Sequence, residues 1–509
     1  MNWLNLYVKK NTETFCHAIL GLKVGRRKAL ANLLMALASD SGSHSVTALS
    51  ESAVYHYQYS SITKSIDALW SADKYEDEDE SVLAAVRADW REELIRLKSP
   101  YFEKPFEDFY LLNTDTTPNI RRHSPTLEDR GYVHTSNNVV KSKPPVDIGY
   151  NYSVIGLSLR RPLYHSAEPP WNLPLSTRRI KTNEVRGTVT AEQVNELLGI
   201  EDTPLHNHMV VNALDSNYAT PEYIVGTYDN DNLVNIIRFA NNRSTWEQLT
   251  EAQQDARRAS NEDTRGANAV YGETYKLREV EQWDVAPDEV ACFGTKLSNG
   301  RPVLVELQTW NDRLIRTKRK KNMKDKPMRL VRVRLLDPET REPIYKRPMW
   351  LSVWGKKRMK LSLEQIYWAY RNRFDIEHYF RFGKQRLLMQ KFQPPDVEHL
   401  DNWMEIVSLA YCLLYAAQQE AQPCVPKWQQ YDKRFKNRVK YDLKASPSEV
   451  QNQLESIILQ FEQDPFRPNI KIKSKGRQEG EIQDKRPEHK VVYKGKKPKK
   501  KKKKKKIAA

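Results

Sequence analysis

Four residues with hydroxyl or charged side chains recur along one predicted helix: Tyr370, Arg373, Glu377 and Lys384. At 100° per residue they fall within an arc of about 60°, so one helix edge presents a hydroxyl, two cations and a carboxylate. An apolar stripe beside that edge consists of Ala369, Ile376, Phe380 and Leu387. A carboxylate held among cations there is unusual in a helix that merely packs. The alternative is a solvated ion-pair face, because Arg373 and Glu377 have i,i+4 spacing.

Two aspartates, Asp115 and Asp215, each follow an apolar run that predicts a β-strand. At the carboxyl end of a strand, a sheet exposes functional side chains. Together with Glu377 they form an oxygen-only set, which suits Mg²⁺ or Mn²⁺ rather than zinc. Two such ions about 3.5–4 Å apart can activate water or a 3′-hydroxyl for attack on a phosphodiester. The alternative for each aspartate is a helix cap or turn, and Asp229 and Asp231 compete for the second position.

The spacing Tyr-x2-Arg-x3-Glu-x6-Lys resembles the signature of one large branch of DDE transposases from bacterial insertion sequences. Upstream, Asp115-Thr116-Thr117 is similar to the first-aspartate motif of that family, and the run from Leu214 to Tyr218 is similar to the second. The resemblance covers residues 105–420. It implies an α/β fold with a ribonuclease-H-like catalytic core, interrupted by a β-rich insertion before the glutamate helix.

Site roles follow from the same resemblance. Asp115, Asp215 and Glu377 would bind two Mg²⁺ or Mn²⁺ ions, and the signature cations would hold phosphates of the cleaved DNA end. A tryptophan in the insertion would stack on a flipped base, with Trp350 at the matching position and Trp354 as its rival. The full set of DNA-binding candidates is Tyr370, Arg373, Lys384, Trp350, Arg121 and Arg122.

Strands and helices are predicted around these residues. A first strand begins at Phe109 and is expected to stop at Thr117-Pro118, and a helix capped by Ser362 and Gln365 is expected to continue to about Leu388. The predicted domains are a helical DNA-binding domain with a helix-turn-helix-like outline (1–100), the first part of the core (105–248), the β-rich insertion (249–355), the second part of the core (356–425), a helical region (426–480) and a disordered basic tail (481–509).

The formal charge of +18 over 509 residues is concentrated in that tail. Residues 485–506 contain fourteen Lys or Arg against one acid, Glu488, so the remaining chain carries only about +5. Four widely spaced cysteines exclude a zinc ribbon or a disulfide scaffold and suit a reducing compartment. No apolar run reaches the roughly 18 residues that a membrane helix needs. We therefore expect a bacterial cytoplasmic protein associated with the nucleoid.

The predicted function is cut-and-paste transposition. The protein would bind terminal inverted repeats, cleave them with Mg²⁺ and join the 3′-ends to target DNA. Its partners would be double-stranded DNA and a second copy of the chain, without a nucleotide cofactor, because no Gly-x4-Gly-Lys-Ser/Thr loop is present. The alternatives are a non-catalytic DNA-binding protein of the same descent and a nuclease of the same fold that cuts without joining.

Overall fold

A computed structural model describes residues 14–19, 21, 26–70, 79–135, 145–161, 168–260, 270–297, 300–317, 322–422, 444–459, 480, 482 and 485–493. The N-terminal part is helical, as predicted, with α1 (Arg27–Ser39), α2 (Tyr59–Asp67) and α3 (Glu80–Lys98). Leu30, Leu34 and Ile62 are buried in the main hydrophobic core. The helical stripes of this region therefore pack onto the rest of the protein.

Twelve strands form one mostly antiparallel sheet, which makes the protein a mixed α/β fold. Its strand order is β2-β3-β1-β5-β6-β12-β11-β10-β7-β8, with β4 paired to β3 and β9 paired to β10. The strands are β1 (Phe109–Ile120), β2 (Gly131–His134), β3 (Val146–Ser158), β4 (Asn172–Ile180), β5 (Met209–Leu214), β6 (Leu233–Phe239), β7 (Ser244–Gln248), β8 (Tyr271–Lys276), β9 (Glu289–Lys296), β10 (Pro302–Leu314), β11 (Met328–Leu336) and β12 (Met349–Trp354).

The centre of the sheet is parallel, as predicted. Strand β1 runs parallel to β5, and β5 runs parallel to β6. The connecting segments contain α4 (Arg186–Gly199), α5 (Pro204–Asn207) and α6 (Pro221–Thr227). Because both faces of these strands are covered, the side chains of Leu111, Val211 and Ile236 are completely buried.

The predicted end of the first strand is wrong. Strand β1 continues through Thr117 and Pro118 to Ile120, because β3 remains paired with it as far as Gly149 opposite Ile120. Proline lacks only the N–H group, and the parallel ladder with β5 has already ended at Thr114, so Pro118 no longer faces that neighbour. Asp115 therefore lies inside a strand, one residue beyond its parallel ladder.

The strands of the predicted insertion are part of the same sheet. Strand β12 pairs with β6, and β11 and β10 follow in antiparallel order. Helix α7 (Glu251–Ser260) lies between β7 and β8. The predicted domain boundaries remain predictions, since a continuous sheet crosses the boundary between residues 248 and 249.

The predicted long helix is two helices. The capping box at Ser362 and Gln365 is confirmed, and helix α8 (Leu363–Asn372) begins there. The chain then turns at Arg373 and Phe374 before α9 (Asp375–Arg386) starts. Tyr370 and Glu377 consequently belong to different helices, and the single 60° arc does not exist as a continuous helix edge.

Two further helices complete the described part of the chain. Helix α10 (Val397–Ala416) is almost entirely buried and packs on β4 and on α1. Helix α11 (Pro447–Leu459) has the predicted capping box at Ser446 and Glu449, and Leu454 on its apolar stripe is completely buried. The stripe therefore contributes to the core rather than remaining free for a partner. Within the described residues, no helix is long and apolar enough to cross a membrane.

Candidate metal and nucleic-acid site

The two predicted aspartates lie side by side. The β1–β5 ladder ends with Thr114 opposite Leu214, so the next residue of each chain segment is an aspartate. Residues in register on parallel strands point to the same face of the sheet. The end of this parallel ladder therefore brings Asp115 and Asp215 together, although a hundred residues separate them in sequence.

An arginine connects the third carboxylate, Glu377, to Asp115. Arg373 Nη1 donates to Asp115 Oδ2 at 3.1 Å, and Nη2 of the same guanidinium donates to Glu377 Oε1 at 3.4 Å. Arg373 is 5 % exposed, whereas Glu377 is exposed. The planar fork of arginine suits two acceptors at once. Because Arg373 ends α8 and Glu377 lies in the first turn of α9, the break between the helices sets this geometry.

The charges at the site act on one another. The pKa of Asp115 is raised to about 6, chiefly by burial; Arg373 lowers it, and the neighbouring carboxylates of Asp215 and Glu377 raise it. A carboxylate that is repelled by two others is in a site with surplus negative charge. Such a site favours the arrival of a cation. Perturbed carboxyl groups of this kind also cluster at functional sites.

Each aspartate also makes local hydrogen bonds. Asp115 Oδ1 accepts from Thr116 N at 2.7 Å. Asp215 caps the short 3₁₀ turn Ser216–Tyr218 and accepts from Asn217 N at 2.9 Å and from Asn217 Nδ2 at 2.7 Å. Asp215 is therefore both the cap of this turn and a member of the site. These bonds fix the orientation of both carboxylates before any ligand arrives.

A buried polar network holds the start of α9. Asp375 is 2 % exposed in its side chain and pairs with Arg160 at 2.9 Å. Asn372 Nδ2 donates to the carbonyl of Arg160 at 2.9 Å, and Asn113 Nδ2 donates to the carbonyl of Asn372 at 3.0 Å. Strand β1 and the residues after β3 are thus tied to the joint between α8 and α9. Sequence patterns do not reveal this network, since single buried amides have no periodic signal.

The donor set fits a hard divalent cation in its chemistry. All three groups are carboxylates, the ligand type that Mg²⁺ and Mn²⁺ prefer. No group of three or more His, Cys, Asp or Glu side chains in the described ranges is close enough to enclose an ion. In this arrangement the Arg373 guanidinium occupies the position between Asp115 and Glu377. Metal binding would therefore require Glu377, the exposed member, to turn toward the aspartates.

The competing aspartates are remote from this site. Asp229 and Asp231 precede β6, whose first residue, Leu233, is opposite Val210 at the start of β5. They therefore lie at the amino-terminal end of the parallel strands, whereas Asp215 lies at the carboxyl-terminal end. Both are in surface ion pairs, Asp229 with Lys326 at 3.1 Å and Asp231 with Lys356 at 2.7 Å. The geometry favours Asp215 for the second position.

The other signature residues lie around Arg373 at different depths. Tyr370 is 1 % exposed, and the Arg373 guanidinium lies 5.7 Å from its ring centroid. Lys384 is half-buried two turns beyond Glu377, with its ammonium 5.9 Å from the Phe380 ring, and burial lowers its pKa. Tyr370 thus supports Arg373 from inside, while Lys384 extends the positive surface along α9.

The predicted base-stacking tryptophan is in the core. Trp350 is 1 % exposed and packs against Trp283 and Trp310, and its Nε1 donates to Asn241 Oδ1 at 3.2 Å. Its rival, Trp354, is also completely buried and donates to Ser352 Oγ at 2.9 Å. Stacking on a base would require Trp350 to leave this aromatic cluster, so that role stays a prediction.

Arg121 and Arg122 are separated from the carboxylates. They follow the last residue of β1 and lie six and seven residues beyond Asp115, about 20 Å along the strand. Arg121 is 4 % exposed and donates to the carbonyls of Ile120 and Gln390. Arg122 is exposed and pairs with Asp147 at 2.6 Å. Neither belongs to the carboxylate site, and only Arg122 presents its charge to solvent.

A cleft of about 720 Å³ opens beside the carboxylates, between β6, β12 and α8. It begins at Ser216, next to Asp215, and passes Tyr370 and Phe374. Its wall contains no Asp or Glu among the described residues. The cations that line it are Arg238, Arg334, Lys346, Arg347 and Arg371. Among 83 Lys and Arg residues, the sequence offers no signal that selects these five.

In comparisons with protein-family models and with curated proteins, nothing matches this chain.

Proposed function

We propose that this protein is a divalent-metal-dependent DNA transposase that cuts DNA at transposon ends and joins the 3′-ends to target DNA. The observation that carries the proposal is the convergence of Asp115 and Asp215 at the end of the β1–β5 parallel ladder, with Glu377 linked to Asp115 through Arg373. Bringing three carboxylates from distant parts of the chain close together costs free energy, because their charges repel one another. A site that gathers them is suited to binding cations.

The sheet centre supports a ribonuclease-H-like core, as the family resemblance implies. Strand β1 carries the first carboxylate, β5 ends at the second, and a helix after the β-rich strands supplies the third. The order of these elements along the chain agrees with the insertion expected before the glutamate helix. The aspartate motifs and the four-residue signature belong to one site in this arrangement.

Asp115, Asp215 and Glu377 would hold the metal. When bound, Mg²⁺ or Mn²⁺ would supply charge stabilisation for phosphodiester cleavage and strand joining. Arg373 would change partner, because release of Glu377 and Asp115 frees its fork for a phosphate oxygen. Tyr370 would keep the Arg373 guanidinium in place from below, since it packs against it without access to solvent.

The cleft would receive the DNA strand next to the carboxylates. Its wall presents five cations, of which Arg334 is paired with Glu306 at 2.6 Å, and several aromatic rings, including Tyr345 and Phe374. Cations bind the phosphate backbone, and aromatic rings stack on unpaired bases. The mouth at Ser216 would let a strand pass from the cleft directly to the metal site.

The deciding experiment uses purified protein with end-labelled DNA carrying the inverted repeats that flank the coding region, with Mg²⁺. Cutting followed by joining to a target plasmid is expected. Cutting without joining would favour the nuclease. Binding without cutting, in Mg²⁺ and in Mn²⁺, would favour the DNA-binding protein, for which Arg373 would be the permanent partner of the carboxylates. Unrelated duplex and EDTA serve as controls.

A further inference from the structure

Strand β9 has one side without a partner. All eight of its residues pair with β10, from Glu289 opposite Thr309 to Lys296 opposite Pro302. Within the described residues, no other backbone or side-chain group forms a hydrogen bond to the β9 main chain. Its outer N–H and C=O groups are therefore a free template for a further strand.

Other outer strands of the sheet are protected by contacts. Lys98, a buried lysine, donates to the carbonyls of Pro174 and Leu175 on β4. Arg257 of α7 donates to the carbonyl of Tyr271 on β8 at 3.2 Å. Beside β2, Val492 N donates to the carbonyl of Arg130 at 2.7 Å. Natural proteins usually cover exposed edges in such ways, so an uncovered eight-residue edge indicates use.

The outward face of β9 is unusual in composition. Its alternate residues Val290, Cys292 and Gly294 are exposed, and Val290 is 56 % exposed. The inward residue Phe293 packs on Tyr367 and Trp368 of α8, so the strand is firmly seated. The outward face thus combines an apolar side chain with two small ones, and β9 contains no proline. Its one inward charge, Glu289, is neutralised by the buried Arg329 of the same chain.

Gly294 has no function within its own chain. A Cβ at this position would meet only Leu304 Cδ2, at 4.0 Å, which is ordinary van der Waals contact. Its φ is not positive, so glycine is not needed for the backbone either. Glycine inside a strand weakens it and often marks the close approach of another chain. Something outside this chain would account for its presence.

We propose that β9 pairs with β9 of a second copy of this chain, in antiparallel direction, with the two-fold axis at Cys292. A two-fold axis normal to the sheet keeps each side chain on the same face of the sheet in both copies. Directly opposite residues then have the same parity along the strand, so the residue at the axis lies opposite its own copy. With Cys292 at the axis, Asp288 faces Lys296 of the second copy, and Val290 faces Gly294 of the second copy. Both contacts occur twice by symmetry.

Of the registers with the axis at Ala291, Cys292 or Phe293, only the one at Cys292 places opposite charges across the two strands. Asp288, just before β9, and Lys296 are both exposed and have the same parity along the strand. Asp288 Oδ2 accepts from Asn311 N at 2.6 Å, which leaves its other oxygen for a partner. With the axis at Ala291, Lys296 would lie beyond the end of the partner strand. With the axis at Phe293, Lys296 would lie opposite Val290 of the second copy. Opposite charges directly across two strands are stabilising, and like charges are destabilising. Gly294 leaves room for the valine that faces it. The pairing depends on strand geometry and not on the proposed DNA chemistry.

The first test measures self-association by sedimentation velocity, without DNA or metal. The full-length protein is expected to dimerise, and Lys296→Glu to weaken the dimer by about tenfold or more, because two opposite-charge pairs become like-charge pairs. The double variant Asp288→Lys with Lys296→Asp should restore it. Lys360→Glu, which makes the same charge change at an exposed position outside β9, should leave association unchanged. A monomer at tens of micromolar protein, or a dimer insensitive to Lys296→Glu, would overturn the proposal.

Gly294→Val provides a second variant. It adds a side chain where the chain's own fold has room, so the melting temperature of the monomer should not fall. Dimerisation should weaken, because the new side chain meets Val290 of the second copy. Unchanged association would exclude this register.

The third test uses the cysteine at the axis. Directly opposite residues of antiparallel strands have Cα atoms about 4.5–5.5 Å apart, within the range for a disulfide. Treatment with diamide, which accepts the two electrons and two protons of the two thiols, should give a covalent dimer. Cys292→Ser should remove that product, while Cys412, which is completely buried, should not contribute. A covalent dimer that persists in Cys292→Ser, or none in the wild type, would contradict the axis at Cys292.

Discussion

At the residue scale, Arg373 is the pivot of the candidate site. It divides one guanidinium between Asp115 and Glu377, and its partners lie on a strand and on a helix. The i,i+4 pair with Glu377 is the solvated ion pair that the sequence offered as the alternative interpretation. The structure contains that pair, but it also brings Asp115 to the same guanidinium. The pair is therefore part of a three-residue ion cluster in which Arg373 is buried.

Replacing each carboxylate by its amide tests the metal assignment. We expect Asp115→Asn, Asp215→Asn and Glu377→Gln each to abolish cleavage, because each removes a ligand charge at nearly constant shape. Binding to transposon ends should remain close to wild type, since phosphate contacts supply most DNA affinity. Cleavage is measured on labelled ends and binding by mobility shift. Mg²⁺-dependent cleavage by any one variant would remove that residue from the metal site.

The titration of Asp115 tests the electrostatics without metal or DNA. Burial and its two acidic neighbours raise the pKa of Asp115 to about 6. Asp215→Asn removes a repelling charge and should lower that pKa, whereas Arg373→Ala removes an attracting charge and should raise it. Carbonyl ¹³C NMR of labelled aspartate would measure both shifts. Equal pKa values in wild type and Asp215→Asn would show that the two carboxylates are not neighbours.

The same shift has a consequence for stability. In the unfolded chain the pKa of Asp115 is near 3.8, so the folded state retains the proton to a higher pH. The contribution of Asp115 to the free energy of unfolding is therefore complete below pH 3.8 and is lost as pH rises through about 6. Denaturant titrations across this range should show a smaller loss in Asp115→Asn than in wild type.

At the element scale, the decisive feature is the break between α8 and α9. A continuous helix would keep Tyr370, Arg373 and Glu377 on one edge. Instead α8, which contacts β5, ends at Asn372, and α9 starts after the turn and packs beside β1 and β4. The turn is held by hydrogen bonds from β1 and from the segment after β3. Tertiary contacts rather than helix propensity therefore set the position of Glu377.

Asn372 is the residue that tests this joint. It is 1 % exposed, and its side chain donates to the carbonyl of Arg160. We expect Asn372→Ala to lower the free energy of unfolding by about 1–3 kcal/mol, because a buried acceptor loses its donor. Gln385→Ala removes an exposed amide from α9 and should change stability by about 0.5 kcal/mol or less. Equal effects of the two variants in urea titrations would contradict the role of the joint.

At the scale of the whole molecule, a C-terminal segment is attached next to the sheet. Arg130 Nη2 donates to the carbonyl of His489 at 2.9 Å, and the rings of Tyr132 and Tyr493 are in contact. The lysine-rich run begins one residue later, at Lys494. The tail predicted to be disordered spans 481–509, and residues 485–493 of it make these contacts with the fold. Residues 494–509 lie outside the described residues, as do Cys424 and most of residues 426–480. Tyr493, the residue that precedes the run, lies beside Tyr132 of β2.

Deletion of residues 494–509 tests the function of the run. Binding to unrelated duplex should weaken and become less dependent on salt, because the lysines release counterions without reading bases. Discrimination between transposon ends and random DNA should remain. Binding isotherms at several salt concentrations measure both. A truncated protein that no longer distinguishes its ends would show that the tail contributes to specific recognition.

The sequence by itself determined the local elements and the identity of the candidate residues. Periodicity, caps and spacing predicted the helical N-terminal region, the strand that ends before Asp215 and the start of α8, because these signals depend on neighbours within a few residues. It also selected Asp115, Asp215 and Glu377. Only the tertiary structure decided that β1 passes through Pro118, that the helix breaks at Phe374 and that Trp350 is buried. Each of these depends on partners from distant strands, which no local pattern records, and the free edge of β9 follows from the same long-range pairing.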